Sequence, residues 1–267
     1  MTTLDTTAVI RAADRIRSAV RDHRTVAPVR DLIGADNVTA AYAVQREVTR
    51  ARVAGGAKIV GRKIGLTSPA VQRQLGVDQP DFGVLFADMD VSTMDEVPSA
   101  RLIQPKAEAE IAFILDRDLT DVEVDATAVR AAVAYAVAAL EIVDSRIAAW
   151  DISLADTVAD NASSGLFVLG TRRLTLNQFE PRDVTMRLHA DGLLVSQGNG
   201  AACLGDPLNA LAWLARTAVA FGEPLRAGQV ILSGALGPMV PTTPGVSVRA
   251  DITALGEVTA TFSAKEE

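Results

Sequence analysis

The sequence predicts a mixed α/β fold in which a rolled, mixed β-sheet follows a helical N-terminal segment over residues 1–60. Three observations carry that prediction. Apolar residues recur at helical spacing through the N-terminal segment, then give way to short apolar or alternating runs of strand character. No strand–helix repeat continues along the chain, which argues against a doubly wound sheet or a parallel barrel. The last strand-like runs, V-I-L-S-G-A-L, V-S-V-R-A-D-I and G-E-V-T-A-T-F, are separated by Gly and Pro turns and read as antiparallel or mixed.

In chain order, Thr6 to Val20 places Val9, Ile10, Ala13, Ile16 and Val20 at helical spacing, with Asp5 as a cap. After a turn at Pro28, Asp36 or Asn37 opens a second helix through Tyr42, Val44, Val48 and Val53, which Gly55 and Gly56 end. Tyr42 and Gln45 read as packing or surface residues. Val60 to Leu66, V-G-R-K-I-G-L, is a short strand containing Lys63. A lysine between apolar positions is either a snorkelling surface residue or a catalytic one. Asp81 then opens the apolar strand D-F-G-V-L-F, as a positioned acid or as a turn former. That D-F-G is no kinase signature, because the glycine-rich and catalytic loops of a kinase are absent.

The alanine-rich run from Thr127 to Leu140 predicts a helix. In T-V-A-D-N-A-S-S-G-L-F-V-L-G, Asn161, Ser163 and Ser164 either line a pocket or satisfy a turn, and no G-x-S-x-G elbow surrounds either serine. V-T-M-R-L-H-A-D, a D-G turn and L-L-V-S-Q-G form a hairpin. The passage G-N-G-A-A-C-L-G-D-P, before the helix L-N-A-L-A-W-L-A-R-T-A, has neither the P-loop lysine nor dinucleotide spacing.

Composition bounds the function. The 267 residues are 49% hydrophobic and 22% charged, enough for a sizeable globular core. No apolar run spans a bilayer and no leader precedes an apolar region, so no membrane partner and a cytoplasmic location are expected. Cys203 is the only cysteine, which excludes an internal disulfide and a cysteine-based metal site and leaves a small buried residue. His23 and His189 are too far apart in sequence to form a ligand motif. A net charge of −7 and a pI near 5.0 argue against nucleic acid.

The chemistry concentrates between Gln104 and Arg146. In K-A-E-A-E-I-A-F-I-L, alternation puts Lys106, Glu108 and Glu110 on one face of a strand that runs into the core, and the alanine-rich run returns the chain to deliver Glu141. Buried like charges raise one another's pKa unless a cation compensates them. Two compensations are open: a hard divalent cation, Mg²⁺ or Mn²⁺, on the three carboxylates, or a salt-bridged cluster neutralised by Lys106 and Arg146.

Four motifs in order, G-R-K-I-G-L-T-S, L-G-V-D-Q-P-D-F-G-V-L, P-K-A-E-A-E-I-A-F and A-L-E-I-V-D-S-R, resemble the 2-keto-4-pentenoate hydratase family, within the wider fumarylacetoacetate hydrolase-like group. The likeness covers nearly the whole chain, V-A-D-N-A-S-S-G and L-G-D-P-L-N-A-L-A-W-L-A included. It implies a fumarylacetoacetate hydrolase-like fold, with residues 61–267 as a metal-dependent catalytic domain. Glu108, Glu110 and Glu141 align with the metal carboxylates for Mg²⁺ or Mn²⁺, Lys63 with the active-site lysine and Asp81 with its acidic companion. The implied reaction is hydration of 2-hydroxypenta-2,4-dienoate or its six-carbon homologue to a 4-hydroxy-2-oxoacid, in meta-cleavage catabolism of aromatic compounds or steroids. Asn161 and Ser163 are the candidate substrate-binding residues. A homo-oligomer and association with the downstream 4-hydroxy-2-oxoacid aldolase are also implied. The alternatives are a 4-oxalocrotonate decarboxylase, which must hold a second carboxylate with an arginine such as Arg62, Arg73 or Arg146, an acylpyruvate hydrolase, or a non-catalytic binding protein.

Overall fold

The computed structural model describes residues 4–68, 72, 77 and 79–264. Its first part is helical: α1 (Thr6–Asp22), α2 (Arg30–Ile33) and α3 (Val38–Ala54). The Asp5 carboxylate accepts the backbone N–H groups of Thr7 and Ala8, as predicted, and of the two candidates Asp36 and Asn37 it is Asn37 whose Oδ1 caps α3, accepting the Ala40 N–H. Val9, Ala12, Ala13, Ile16 and Ala19 form the buried stripe of α1, whereas Ile10 and Val20 fall on its solvent side.

The strands in chain order are β1 (Ile59–Gly65), β2 (Asp81–Phe86), β3 (Pro105–Leu115), β4 (Val133–Asp144), β5 (Ser164–Leu169), β6 (Thr185–Ala190), β7 (Leu193–Asn199), β8 (Val230–Leu232), β9 (Val240–Pro241), β10 (Ser247–Ile252) and β11 (Gly256–Thr261). Between them lie α4 (Ala126–Ala132), α5 (Leu154–Ala159) and α6 (Pro207–Ala220). A seven-stranded sheet runs β2-β1-β8-β3-β4-β5, with β9 added beside β3, and a four-stranded sheet runs β11-β10-β6-β7. The β1–β8 pair is parallel and the others of the large sheet are antiparallel, which makes it the mixed sheet expected. Val248, Ala250, Val258 and Ala260 of the smaller sheet join the same core as Ile111, Leu140 and Ile142 of the larger one. Among the described residues no helix is long and apolar enough to cross a membrane.

One predicted element is corrected. The helix expected from Thr127 to Leu140 stops at Ala132, and the chain continues as β4. Alanine favours helix only weakly. Here β4 pairs with β3 from Val133 to Asp144 and with β5 on its other edge, so tertiary hydrogen bonding overrides propensity. The predicted hairpin is β6–β7, turning through Asp191 (φ 47°) and Gly192 (φ 81°), the left-handed pair that a two-residue D-G turn requires.

Candidate metal centre and active site

Strand register builds the acidic cluster. Glu108 of β3 lies directly opposite Glu141 of β4, and Glu110 follows on the same face of β3. One carboxylate oxygen from each of the three lies within 4.8 Å of the others. Glu110 and Glu141 are fully buried and Glu108 is half-buried. Glu110 Oε2 accepts the backbone N–H of Gly234 at 2.8 Å, but among the described residues Glu110 Oε1 and Glu141 Oε2 have no hydrogen-bond donor, and Glu141 Oε1 faces only the Lys63 ammonium. Buried carboxylate oxygens left without donors are costly. The donor set is all oxygen, and a hard cation such as Mg²⁺ or Mn²⁺ would fit it.

The surrounding charges agree with that reading. Burial pushes Glu110 well above the usual carboxylate range, and Glu141 and Glu108 add to the shift. Burial also raises Glu141, to about 7, against the opposing pull of Lys63. Glu108 moves in the same direction for the same first cause. Without an ion the cluster therefore resists full ionisation, and a divalent charge reverses that balance.

Lys63 on β1 is no snorkelling residue: it is only 3% exposed. Its ammonium donates to Ala162 O at 2.9 Å and lies 3.2 Å from Glu141 Oε1. Burial would lower its pKa, but Glu141, then Asp81, Glu108 and Glu110, hold it above the ordinary value. Asp81 is the first residue of β2 and the cross-strand partner of Gly65. A Cβ on Gly65 would collide with Asp81 Oδ1 and sit 3.6 Å from Lys63 Nζ, so the two ionisable groups converge where this glycine leaves room. Burial raises the Asp81 carboxyl, and Lys63 opposes the shift. A fixed cation and a buried acid beside a metal-capable triad can hold and exchange a proton.

The remaining candidates divide. Asn161 spends its side chain on the backbone: Oδ1 accepts Val84 N at 2.7 Å and Nδ2 donates to Val84 O at 2.9 Å. Ser163 Oγ lies 3.3 Å from Thr157 Oγ1. Turn satisfaction, one of the two alternatives open from sequence, thus accounts for Asn161. Arg146 does not neutralise the triad, because its guanidinium grips Asp160 and the carbonyls of Asp144 and Ser164. Lys106 sits over the Trp150 ring, 4.1 Å from its centroid. Arg62 pairs with Glu223 at 2.9 Å, and Arg73 lies outside the described residues. A groove of about 650 Å³ between α1, α3 and the segment after β2 is lined by Asn161 and Arg146 but by none of Lys63, Asp81 and the three glutamates.

Several supporting groups escape a sequence reading because they act through backbone or from distant segments. Gln45, taken for packing or surface, is buried, and its amide donates to Phe82 O and Val158 O, both at 2.9 Å. Tyr42 OH accepts the Phe82 N–H at 3.3 Å and stacks on the Phe82 ring. Both residues of α3 thereby fix β2 next to Asp81. Their only sequence signal is polarity on an otherwise apolar helix face.

Comparison with known proteins places this geometry in a family. Residues 59–263 match the fumarylacetoacetate (FAA) hydrolase C-terminal family. The chain is 54% identical to a 2-keto-4-pentenoate hydratase of Burkholderia vietnamiensis, over 97% of this chain and 99% of that one. It is 43% identical to a 2-hydroxyhexa-2,4-dienoate hydratase of Comamonas testosteroni, over 86% of this chain and 88% of that one. Among solved structures it superposes on the 4-oxalocrotonate decarboxylase of Pseudomonas putida G7, complexed with magnesium and adipate, with a TM-score of 0.92, 35% identity and coverage of 97% and 99% of the two chains. The chain therefore belongs to the fumarylacetoacetate hydrolase family, and nearly its whole length is similar to that family's 2-keto-4-pentenoate hydratases.

Proposed function

We propose that the chain is a divalent-metal-dependent hydro-lyase that adds water to a 2-hydroxy-2,4-dienoate, 2-hydroxypenta-2,4-dienoate or its six-carbon homologue, to give a 4-hydroxy-2-oxoacid. The observation that carries this reading is the contact of Lys63 Nζ with Glu141 Oε1 at 3.2 Å, which sets a proton-handling group against the acidic triad. Glu108, Glu110 and Glu141 would hold Mg²⁺ or Mn²⁺, which would supply Lewis-acid polarisation of the substrate's 2-oxygen. Lys63 and Asp81 do the proton work. A proton is delivered to C5 of the dienol as its 2-hydroxyl proton leaves, giving the 2-oxo-3-enoate. Water then adds at C4, its excess proton is removed, and C3 is protonated, so that the net change is one water gained. Ser163 lies in the turn that abuts Lys63 and keeps its place as the candidate substrate contact; Asn161 shapes that turn instead. The catalytic unit is residues 61–267, and the helical segment 1–60 buttresses it through Tyr42 and Gln45.

The decarboxylase reading has one point in its favour, the 0.92 TM-score to the Pseudomonas putida enzyme. Against it, Arg62 and Arg146 are already paired with Glu223 and Asp160. A homo-oligomer also fits the exposed run Leu193, Leu194 and Val195 on the edge strand β7. Association with an aldolase fits the product, since a 4-hydroxy-2-oxoacid is what such an enzyme cleaves.

One assay tests the proposal. Freshly generated dienol substrate with enzyme and Mg²⁺ or Mn²⁺ is expected to lose its absorbance and yield the 4-hydroxy-2-oxoacid without CO₂. Faster CO₂ release from 2-oxohex-3-enedioate than hydration of either dienoate would overturn it.

A further inference from the structure

We propose that the left-handed turn Asn161–Ala162–Ser163, seated in the space that Gly83 leaves empty, is the device that fixes the Lys63 ammonium beside the acidic triad. The inference rests on the reading of Lys63 as a proton-handling group and concerns what positions it.

Three consecutive residues that are not glycine take positive φ here: Asn161 at 56°, Ala162 at 51° and Ser163 at 53°. Left-handed backbone is disfavoured for L residues, and of the three only asparagine tolerates it readily, so the turn persists because its surroundings hold it. The holding contacts are specific. The Asn161 amide pairs with both backbone groups of Val84, as a neighbouring strand would. Ser164 Oγ donates to Asn161 O at 2.8 Å, and Ser163 N donates to Asp160 O at 3.0 Å.

Register explains why the turn is there. Gly83 on β2 is the direct cross-strand partner of Lys63 on β1. A Cβ at Gly83 would collide with Asn161 O and stand 2.7 Å from Ser164 Oγ. The place beside Lys63 that a side chain would normally fill is thus occupied by the backbone of the turn. The consequence is that Ala162 O accepts the Lys63 ammonium at 2.9 Å. Lysine is a point charge on a flexible stem, attracted here by Glu141, Asp81, Glu108 and Glu110 at once. Those attractions change whenever the carboxylates bind an ion or a proton. A neutral carbonyl held by the fold does not change, so it keeps Nζ in one place through the reaction.

The test uses Gly83→Ala, which pushes the turn away, and Asn161→Ala, which releases it from Val84. The first readout is the rate at which acetic anhydride acetylates Lys63 relative to Lys58 and Lys106 in the same full-length protein, read by peptide mass spectrometry without metal and with Mg²⁺. The second is the split between kcat and KM for dienoate hydration. The expected result is selective, several-fold faster acetylation of Lys63, with kcat lower by about tenfold to a hundredfold and KM little changed, as for a displaced catalytic group. Lys63 acetylation and kcat both at wild-type levels in the folded variants would overturn the proposal. Should Gly83→Ala fail to fold, Asn161→Ala and Ser164→Ala carry the same readouts. Full hydration activity in Lys63→Met would instead defeat the functional reading, while the acetylation ratio still decides the positioning.

Discussion

Glu108 and Glu141 are direct partners across the β3–β4 pair, two carboxylates at the same level of neighbouring strands with Glu110 beside them. Like charges placed opposite one another destabilise a sheet, and in a core the cost is larger. A divalent cation removes that cost, so binding should stabilise the fold. Adding Mg²⁺ or Mn²⁺ to metal-free protein is expected to raise Tm, with about 2.7 kcal/mol gained at a hundredfold excess over Kd. Excess chelator should reverse the shift and abolish hydration. Glu108→Gln should weaken the ion's binding in calorimetric titration without unfolding the protein, and equal affinity would sink the assignment.

Metal affinity should depend on pH in a stated direction. Burial pushes Glu141 up to about 7, and Glu110 and Glu108 are raised as well. A raised pKa means that the metal-free site retains protons which an incoming ion must displace. Affinity is therefore expected to fall as pH drops through about 7. Titrations across the neutral range measure this, and a flat profile would contradict it.

Lys63→Met keeps the length of the side chain and removes its charge and its donors. Loss of a general acid or base, the role proposed for Lys63, typically lowers turnover by about 10²–10⁴-fold. Metal affinity should change far less, because the proposal assigns Lys63 to proton handling and the three glutamates to ligation. Steady-state kinetics alongside metal titration separates the two effects.

Arg146 is a prediction about stability. Its guanidinium and backbone N–H serve Asp160, which is fully buried. Removing one partner of a buried pair strands the other charge, at a cost of about 3–5 kcal/mol. Arg146→Ala should therefore lower the urea midpoint strongly, and Arg146→Met with Asp160→Asn should recover part of the loss. An unchanged midpoint in the single variant would show that the pair carries no weight.

The sequence by itself determined the class of the fold, the cap of α1, the β6–β7 hairpin and the identity of the acidic residues. These are readable because each depends on local chemistry: a capping side chain within three residues, a D-G pair in a left-handed turn, or alternation along one strand. The helix misread between Val133 and Leu140 marks the limit, since alanine's weak local preference gave way to pairing with β3 and β5, both remote from it in sequence. The roles of Arg146 and Asn161 were open for the same reason. Only the tertiary structure decided that Arg146 turns to Asp160, that Lys63 is buried against Glu141, and that Gly83 makes room for the turn carrying Ala162 O. Each of these relations joins strands or turns far apart in the chain, and what fixes them is strand register and close packing, which no local pattern of residues encodes.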